Sequence, residues 1–485
     1  MKNIIYSNKW LFLFWLLIAI YHFSTLSFSP LPWFDETFFA SISHSVMEGK
    51  GLRLEAGSFY TGNTPILVYG PVFFYLQSGI MEIFGFSEWS FRLLNLLGAA
   101  GVIIVVNYML LDRLERTIRI SIIILLAFDT IFLQNAHSGR MDLLALLFIL
   151  LSYFPILNDK TTVASLASSS LFALIAILTT PRIVIFFLPL AIWLLYILIK
   201  RRKIIPVLVF GTVLLTGYFL WINIGFGGLK EFLSYYSDAG IRKGNKDLVE
   251  SFVGGNFRIQ SYQFPLILLT IGTLVIRLKR WTWLTFICIS NILIFYLLVK
   301  DTGIYSSLVV CFWLILFAEN LNFINERAYK VKLTLLTIIG IINIGIFLIK
   351  AVIVFGSWEQ RNPSNISDWV SKNIPINSRV VGDYKYYYAV VKNGSDFQFI
   401  DLGGTPQERF NYHLYVYKAD FILLSTEADR EVLKVYTNGI GKYESIKIDP
   451  VETPGTIYKT IRNVLEKLSI RFSEGYEGQM YKVIR

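Results

Sequence analysis

Apolar residues in this chain gather into runs of roughly 16 to 24 positions separated by short polar connections. A helix needs about 20 apolar residues to cross a hydrocarbon core. Eleven segments meet or approach that length: 10–28, 90–111, 118–135, 142–157, 163–180, 182–199, 204–224, 263–278, 281–299, 304–320 and 332–355. The first is too long for a cleavable signal and no small-residue cleavage site follows it. Between the first two runs lies a long polar loop, 29–89. Within it, Asp35 to Met47 reads as an amphipathic helix, and Val68 to Phe84, interrupted by Gly70-Pro71, as a helix lying on the membrane surface. A second long connection spans 225–262. After about Ser357 the pattern changes to short mixed elements. A helix is expected at Ile366–Ile374, ended by Pro375, and strands at Arg379–Asp383, Phe397–Asp401, Phe421–Leu424 and Ile457–Thr460. The expected division is therefore a membrane domain over 1–355 and a small soluble α/β domain over 356–485.

Composition agrees with that division. Of the 485 residues 54% are apolar and only 16% charged, against about a quarter charged in soluble domains. The net charge of +11 is not a nucleic-acid signal. Residues 356–485 hold 17 Lys/Arg and 16 Asp/Glu, so nearly all of the excess falls on the apolar part. With the N-terminus in the cytoplasm, sixteen basic residues occupy short cytoplasmic connections, among them Arg113, Arg116, Arg119 and Lys200 to Lys203. This is the distribution expected of a multi-pass cell-membrane protein. An odd number of spans then puts the C-terminal domain outside the cytoplasm. The two cysteines, Cys288 and Cys311, sit inside apolar runs and imply no disulfide.

The candidates for chemistry are the charges that break this pattern. Asp35 and Glu36 follow Trp33-Phe34 at the boundary after the first run. They read equally well as acids at a helix start and as a catalytic base beside low-dielectric lipid. Arg140 and Asp142 share a short turn, Asn135-Ala136-His137-Ser138-Gly139-Arg140-Met141-Asp142, where a local ion pair and a functional pair are balanced readings. Lys300, just before Asp301 and Tyr305, reads as a snorkelling lysine or as a cation for a phosphate group; Arg182 after Thr179-Thr180-Pro181 carries the same ambiguity. His137 alone among scattered acids is a weak metal signal. There is no Walker loop, dinucleotide fingerprint, HExxH or serine elbow, so nucleotide-driven chemistry has no support.

In order along the chain, these pieces resemble the GT-C membrane glycosyltransferases of the dolichyl-phosphate-mannose–protein mannosyltransferase and lipid A aminoarabinose transferase type. The resemblance covers residues 10–320. It rests on Asp35-Glu36, on Tyr69-Gly70-Pro71-Val72-Phe73-Phe74-Tyr75-Leu76 leading to Glu88 and Arg92, on Ser138-Gly139-Arg140-Met141-Asp142, and on Lys300 to Tyr305. The Pro-Pro common in the family is replaced here by Gly70-Pro71. The implied fold is an α-helical polytopic membrane protein with about eleven transmembrane helices and a small extracytoplasmic α/β domain. The implied partners are a polyprenyl-phosphate-linked sugar donor, membrane lipid, and an acceptor lipid, glycan or protein; no nucleic acid is implied. Asp35, helped by Glu36, would be the catalytic carboxylate. Arg140, Lys300, Arg182 and Tyr305 would hold the donor phosphate, with Asp142 orienting them. No cofactor is assigned, and a divalent metal, used by some members, stays open because its ligands have no match here. From another class, a secondary transporter also carries many spans and charges at membrane depth. A polysaccharide polymerase or ligase would share the donor and differ only in acceptor.

Overall fold

The computed structural model describes residues 2–57, 59, 64–242, 263–274, 281–299, 304–322, 329–425, 430–439, 443–448, 456, 459, 460, 463 and 475–484. Helices stand at all eleven apolar runs. In chain order they are α1 (Lys2–Thr25), then, inside the long loop, α2 (Phe34–Met47) and α3 (Pro71–Phe84), then α4 (Glu88–Leu110), α5 (Arg116–Ala127), α6 (Thr130–Ala136) and α7 (Asp142–Ser152). There follow α8 (Phe154–Leu157), α9 (Val163–Thr179), α10 (Leu188–Arg201), α11 (Ile204–Trp221), α12 (Leu229–Arg242), α13 (Phe264–Leu274), α14 (Trp283–Leu298), α15 (Ser307–Asn322) and α16 (Tyr329–Gly356). By length and composition, four described helices reach across a membrane, or five if one bent pair is a single span; the other apolar helices are shorter.

The bent pair is α5 and α6, which meet at 58°. The run 118–135 looks continuous in hydropathy, but Asp129 sits inside it. Its carboxylate accepts from the backbone N–H of Ile131, 3.1 Å, and Phe132, 2.9 Å. That is an N-cap, and a cap inside an apolar run starts a new helix rather than continuing the old one. The apolar core of the bundle lies between α4, α5, α7, α10, α14 and α15, where Val102, Leu146, Trp193, Phe295 and Phe312 are buried.

In the long loop both expected helices form. Pro71 opens α3, where its missing N–H costs nothing. The aromatic face of α3 packs on α2, with the Phe39 ring 6.4 Å from Phe73 and 6.2 Å from Phe74, and Phe73 meets Phe91 of α4 at 6.2 Å.

After Ser357 come α17 (Trp358–Arg361), α18 (Pro363–Asn373), β1 (Arg379–Gly382), α19 (Tyr387–Lys392), β2 (Asp396–Phe399), α20 (Pro406–Asn411), β3 (Phe421–Ser425), α21 (Arg430–Gly439), β4 (Tyr443–Ile448) and β5 (Gly478–Val483). The sheet order is β2-β1-β3-β5-β4, parallel across β2, β1 and β3 and antiparallel beyond. Val380 sits between Phe397 and Phe421. A central parallel strand is covered on both faces, which is why Phe421–Ser425 is buried throughout. Two further strands, β4 and β5, stand where the sequence pattern named no element. In the other direction, the strand expected at Ile457–Thr460 is corrected: residues 456, 459 and 460 are helical, and the Thr460 hydroxyl donates to the Thr456 carbonyl four residues back at 3.0 Å.

Candidate functional site

The site is assembled where the start of α2, the 135–142 turn and the start of α15 meet. Asp35 and Glu36 both lie in the first turn of α2, where acids complement the helix dipole. Consecutive helical residues point about 100° apart, so the two carboxylates part company. Asp35 faces the turn and accepts a hydrogen bond from Arg140 Nη1. Its side chain keeps 38% of its surface open, whereas that of Arg140 keeps 2%. Glu36 faces inward and takes a two-pronged bond from Arg92, 2.9 Å on each prong.

Arg140 is a buried cation in a ring of partners. Its Nε donates to Asp142 Oδ2 at 2.7 Å. Its guanidinium carbon lies 4.8 Å from the centre of the Tyr305 ring and 5.5 Å from that of Trp33. Burial pulls its proton affinity down, but Asp142, Tyr305 and Asp35 outweigh that and raise it. Arg182 caps the other side of Tyr305: it donates to the tyrosine hydroxyl, and its guanidinium stands 4.7 Å from that ring and 5.9 Å from Tyr69. Burial, with smaller contributions from its charged neighbours, pushes the Tyr69 phenol up to about 12. The result is an exposed carboxylate beside two guanidiniums sharing one aromatic ring.

The turn that presents Arg140 is fixed from behind. Asn95 of α4 donates to the carbonyls of Asn135, at 3.1 Å, and Ser138, and Asn135 donates to the Ser307 hydroxyl. Gly139 packs directly under Phe91 and Glu36. A Cβ at 139 would overlap the Phe91 ring and stand 3.2 Å from Glu36 Cγ. Overpacking of this kind costs about 1–3 kcal/mol. Gly139→Ala is therefore expected to lower the melting temperature of the purified protein and to lower activity beyond what that shift explains, because Arg140 rides on the displaced turn. Thermal unfolding read beside turnover checks both.

Of the residues singled out in the sequence, Asp35, Arg140, Asp142, Arg182 and Tyr305 thus come together. Glu36 is adjacent but fully enclosed. Its carboxyl is raised in pKa, burial outweighing Arg92. Lys300 lies outside the described residues. Sequence reasoning passed over Trp33 and Asn95 as site residues, and over Tyr388 of the distant helix α19, whose hydroxyl donates to Glu36 Oε1 at 3.3 Å. Trp33 is adjacent to Asp35 and was legible only as an interfacial aromatic. Nothing local to Tyr388 signals its partner. Among the described residues no three His, Cys, Asp or Glu side chains stand close enough to share a metal.

The fold is one shared with solved ArnT structures. The chain is similar to ArnT from Cupriavidus metallidurans bound to undecaprenyl phosphate, with a TM-score of 0.60 and 13% identity over 99% of this chain and 98% of that one. The apo form of the same protein superposes with a TM-score of 0.57 and 14% identity over the same shares. No family model and no curated protein matches the chain. This fold and the apolar helices make it a multi-pass membrane protein.

Proposed function

We propose that the chain is a glycosyltransferase that moves a sugar from a polyprenyl-phosphate donor to an acceptor hydroxyl. The observation that carries this reading is the pairing of the part-exposed Asp35 with the buried Arg140, beside Arg182 and Tyr305. The similar ArnT structure, which holds undecaprenyl phosphate, supports the donor class.

In this mechanism the lipid tail of the donor stays in the membrane while its phosphate reaches Arg182 and the edge of Arg140. The leaving group is a lipid phosphate, already stable as an anion, so it needs cations rather than a general acid. One carboxylate then suffices, unlike the two of a glycosidase. Asp35 takes the proton of the acceptor hydroxyl as that oxygen attacks the anomeric carbon. The bond to phosphate breaks on the opposite face, which inverts the configuration. Asp142 holds Arg140 in place, and Glu36 acts as a positioning residue through Arg92. Lys300, in the connection just before Tyr305, is proposed as a further phosphate cation. We place the reaction on the non-cytoplasmic face of the cell membrane. Residues 1–355 form the catalytic domain and 356–485 an outer domain seated on the 29–89 loop.

Transfer from a radiolabelled polyprenyl-phosphate sugar in proteoliposomes tests the reading. Labelled product that depends on the protein supports it. Solute uptake without any transfer would overturn it in favour of a transporter. Within the same assay Tyr305→Ala, which removes the ring shared by both guanidiniums, is expected to raise the donor KM about tenfold, since a desolvated cation–π contact is worth up to about 2 kcal/mol. Tyr305→Phe, which keeps the ring, is expected to change it less.

A further inference from the structure

A second basic cavity, of about 430 Å³, opens on the opposite side of the 135–142 turn, between α1, α6 and α16. Its lining includes His22, His137, Phe347, Lys350, Ile353 and Arg361, and no Asp or Glu among the described residues. Lys350 lies on the apolar helix α16, under two turns before that helix ends at Gly356. Among the described residues its ammonium makes no hydrogen bond and no ion pair within 4.0 Å. The carboxylate that acts on it electrostatically is Asp129, and that group is already committed to capping α6.

Arg361 stands at the mouth, 5% exposed, donating to the Ser357 hydroxyl at 2.8 Å and to the Phe28 carbonyl at 3.3 Å. The histidine wall adds no positive charge of its own. His137 is pushed down to about 3, chiefly by burial, with His22 beside it. The two rings meet through nitrogens 2.7 Å apart, and His137 also bonds the Ser29 carbonyl at 2.9 Å. The flanks are apolar and open: Phe23, Leu348, Ile349, Val352 and Phe355 are all exposed where lipid would cover them.

We propose that this cavity binds the phosphate of an anionic membrane phospholipid, with Lys350 and Arg361 on the headgroup and the acyl chains along α1 and α16. A lysine at membrane depth with no hydrogen-bond or ion-pair partner among the described residues is costly, and it has two ways out. It snorkels to water, in which case it has no preference among lipids, or it meets a lipid anion. A free phosphate would gain nothing from the apolar flanks. The site is distinct from the Asp35 cluster, since the His137 side of the turn lines it and the Arg140 side does not. It does not rest on the transferase reading.

Native mass spectrometry of the full chain, with phosphatidylglycerol and phosphatidylcholine competing at equal concentration, tests the assignment. The wild type is expected to retain phosphatidylglycerol about fivefold over phosphatidylcholine, the preference one cation near a lipid headgroup confers. Lys350→Met, which keeps the apolar stem, is expected to bring that ratio near one, while Asp35→Asn leaves it unchanged. Equal retention by the wild type, or an unaltered preference in Lys350→Met, would overturn the proposal. Displacement of phosphatidylglycerol by inorganic phosphate, or by polyprenyl monophosphate at equal potency, would also overturn it, assigning the site to a free anion or to the donor carrier. If Lys350→Met fails to fold, the melting temperature of the wild type decides: it should rise more with phosphatidylglycerol than with phosphatidylcholine, and an equal rise refutes the site.

Discussion

Asp35→Asn should abolish most sugar transfer while leaving the protein folded. Removing a positioned general base typically costs 10²–10⁴-fold, and about 10³-fold is expected here in kcat. The donor KM should move little, because the phosphate contacts belong to Arg182 and Arg140. The substitution is mild structurally. An asparagine oxygen can still accept from Arg140 Nη1, as the Asp35 carboxylate does, and the side chain is part-exposed. Arg140 keeps its second carboxylate, Asp142. Wild-type turnover by a folded Asp35→Asn protein would remove Asp35 from the base role. A fall in stability equal to the fall in activity would make it a structural partner of Arg140 instead.

That division of labour between Asp35 and Glu36 was only half legible in the sequence. Adjacent carboxylates after an apolar run stand out, but which one faces the site depends on the rotation of α2 against its neighbours. The rotation is set by Phe39, Phe73 and Phe74 packing between α2 and α3. The Arg140 turn was legible for a different reason: Arg and Asp two residues apart beside an apolar run have few places to go. Arg182 and Tyr305 were legible as charge and aromatic at run ends, though not as stacked partners, because 123 positions separate them. Each apolar run holds a helix, though only four or five described helices are long and apolar enough to cross a membrane. The runs missed the kink at Asp129, since hydropathy averages over a window and one capping carboxylate barely lowers it. They also named no strand at β4 or β5; in β5 the alternation breaks at Met480 and Tyr481, both buried. Tyr388 had no signal at all, because its role depends on how the C-terminal sheet sits on the loop.

The contact that sets this seating gives the largest expected loss of stability. Glu36 and Arg92 are both wholly buried, and Arg92 also donates to the Leu26 carbonyl at 2.7 Å. Together they tie α2 to α4 and to the end of α1, while Tyr388 adds helix α19. A second strand of attachment runs from Gln398 to the Glu55 carbonyl at 2.7 Å. Breaking a buried pair by removing one partner typically costs 3–5 kcal/mol, because the survivor is left charged and dry. Arg92→Met should therefore destabilise the protein by about that much and release the loop, so that proteolysis of the 34–57 segment accelerates. Tyr388→Phe removes one hydrogen bond to the same carboxylate and should cost about 1–3 kcal/mol. The decisive comparison is the double variant Glu36→Leu/Arg92→Met. With neither charge left to bury, it should recover much of the stability lost in Arg92→Met, as buried pairs replaced by apolar side chains often do. Because Glu36 touches neither Arg182 nor Tyr305 among its bonded partners, the recovered protein should retain measurable transfer. A stable double variant with no transfer at all would move Glu36 from a positioning residue into the chemistry itself.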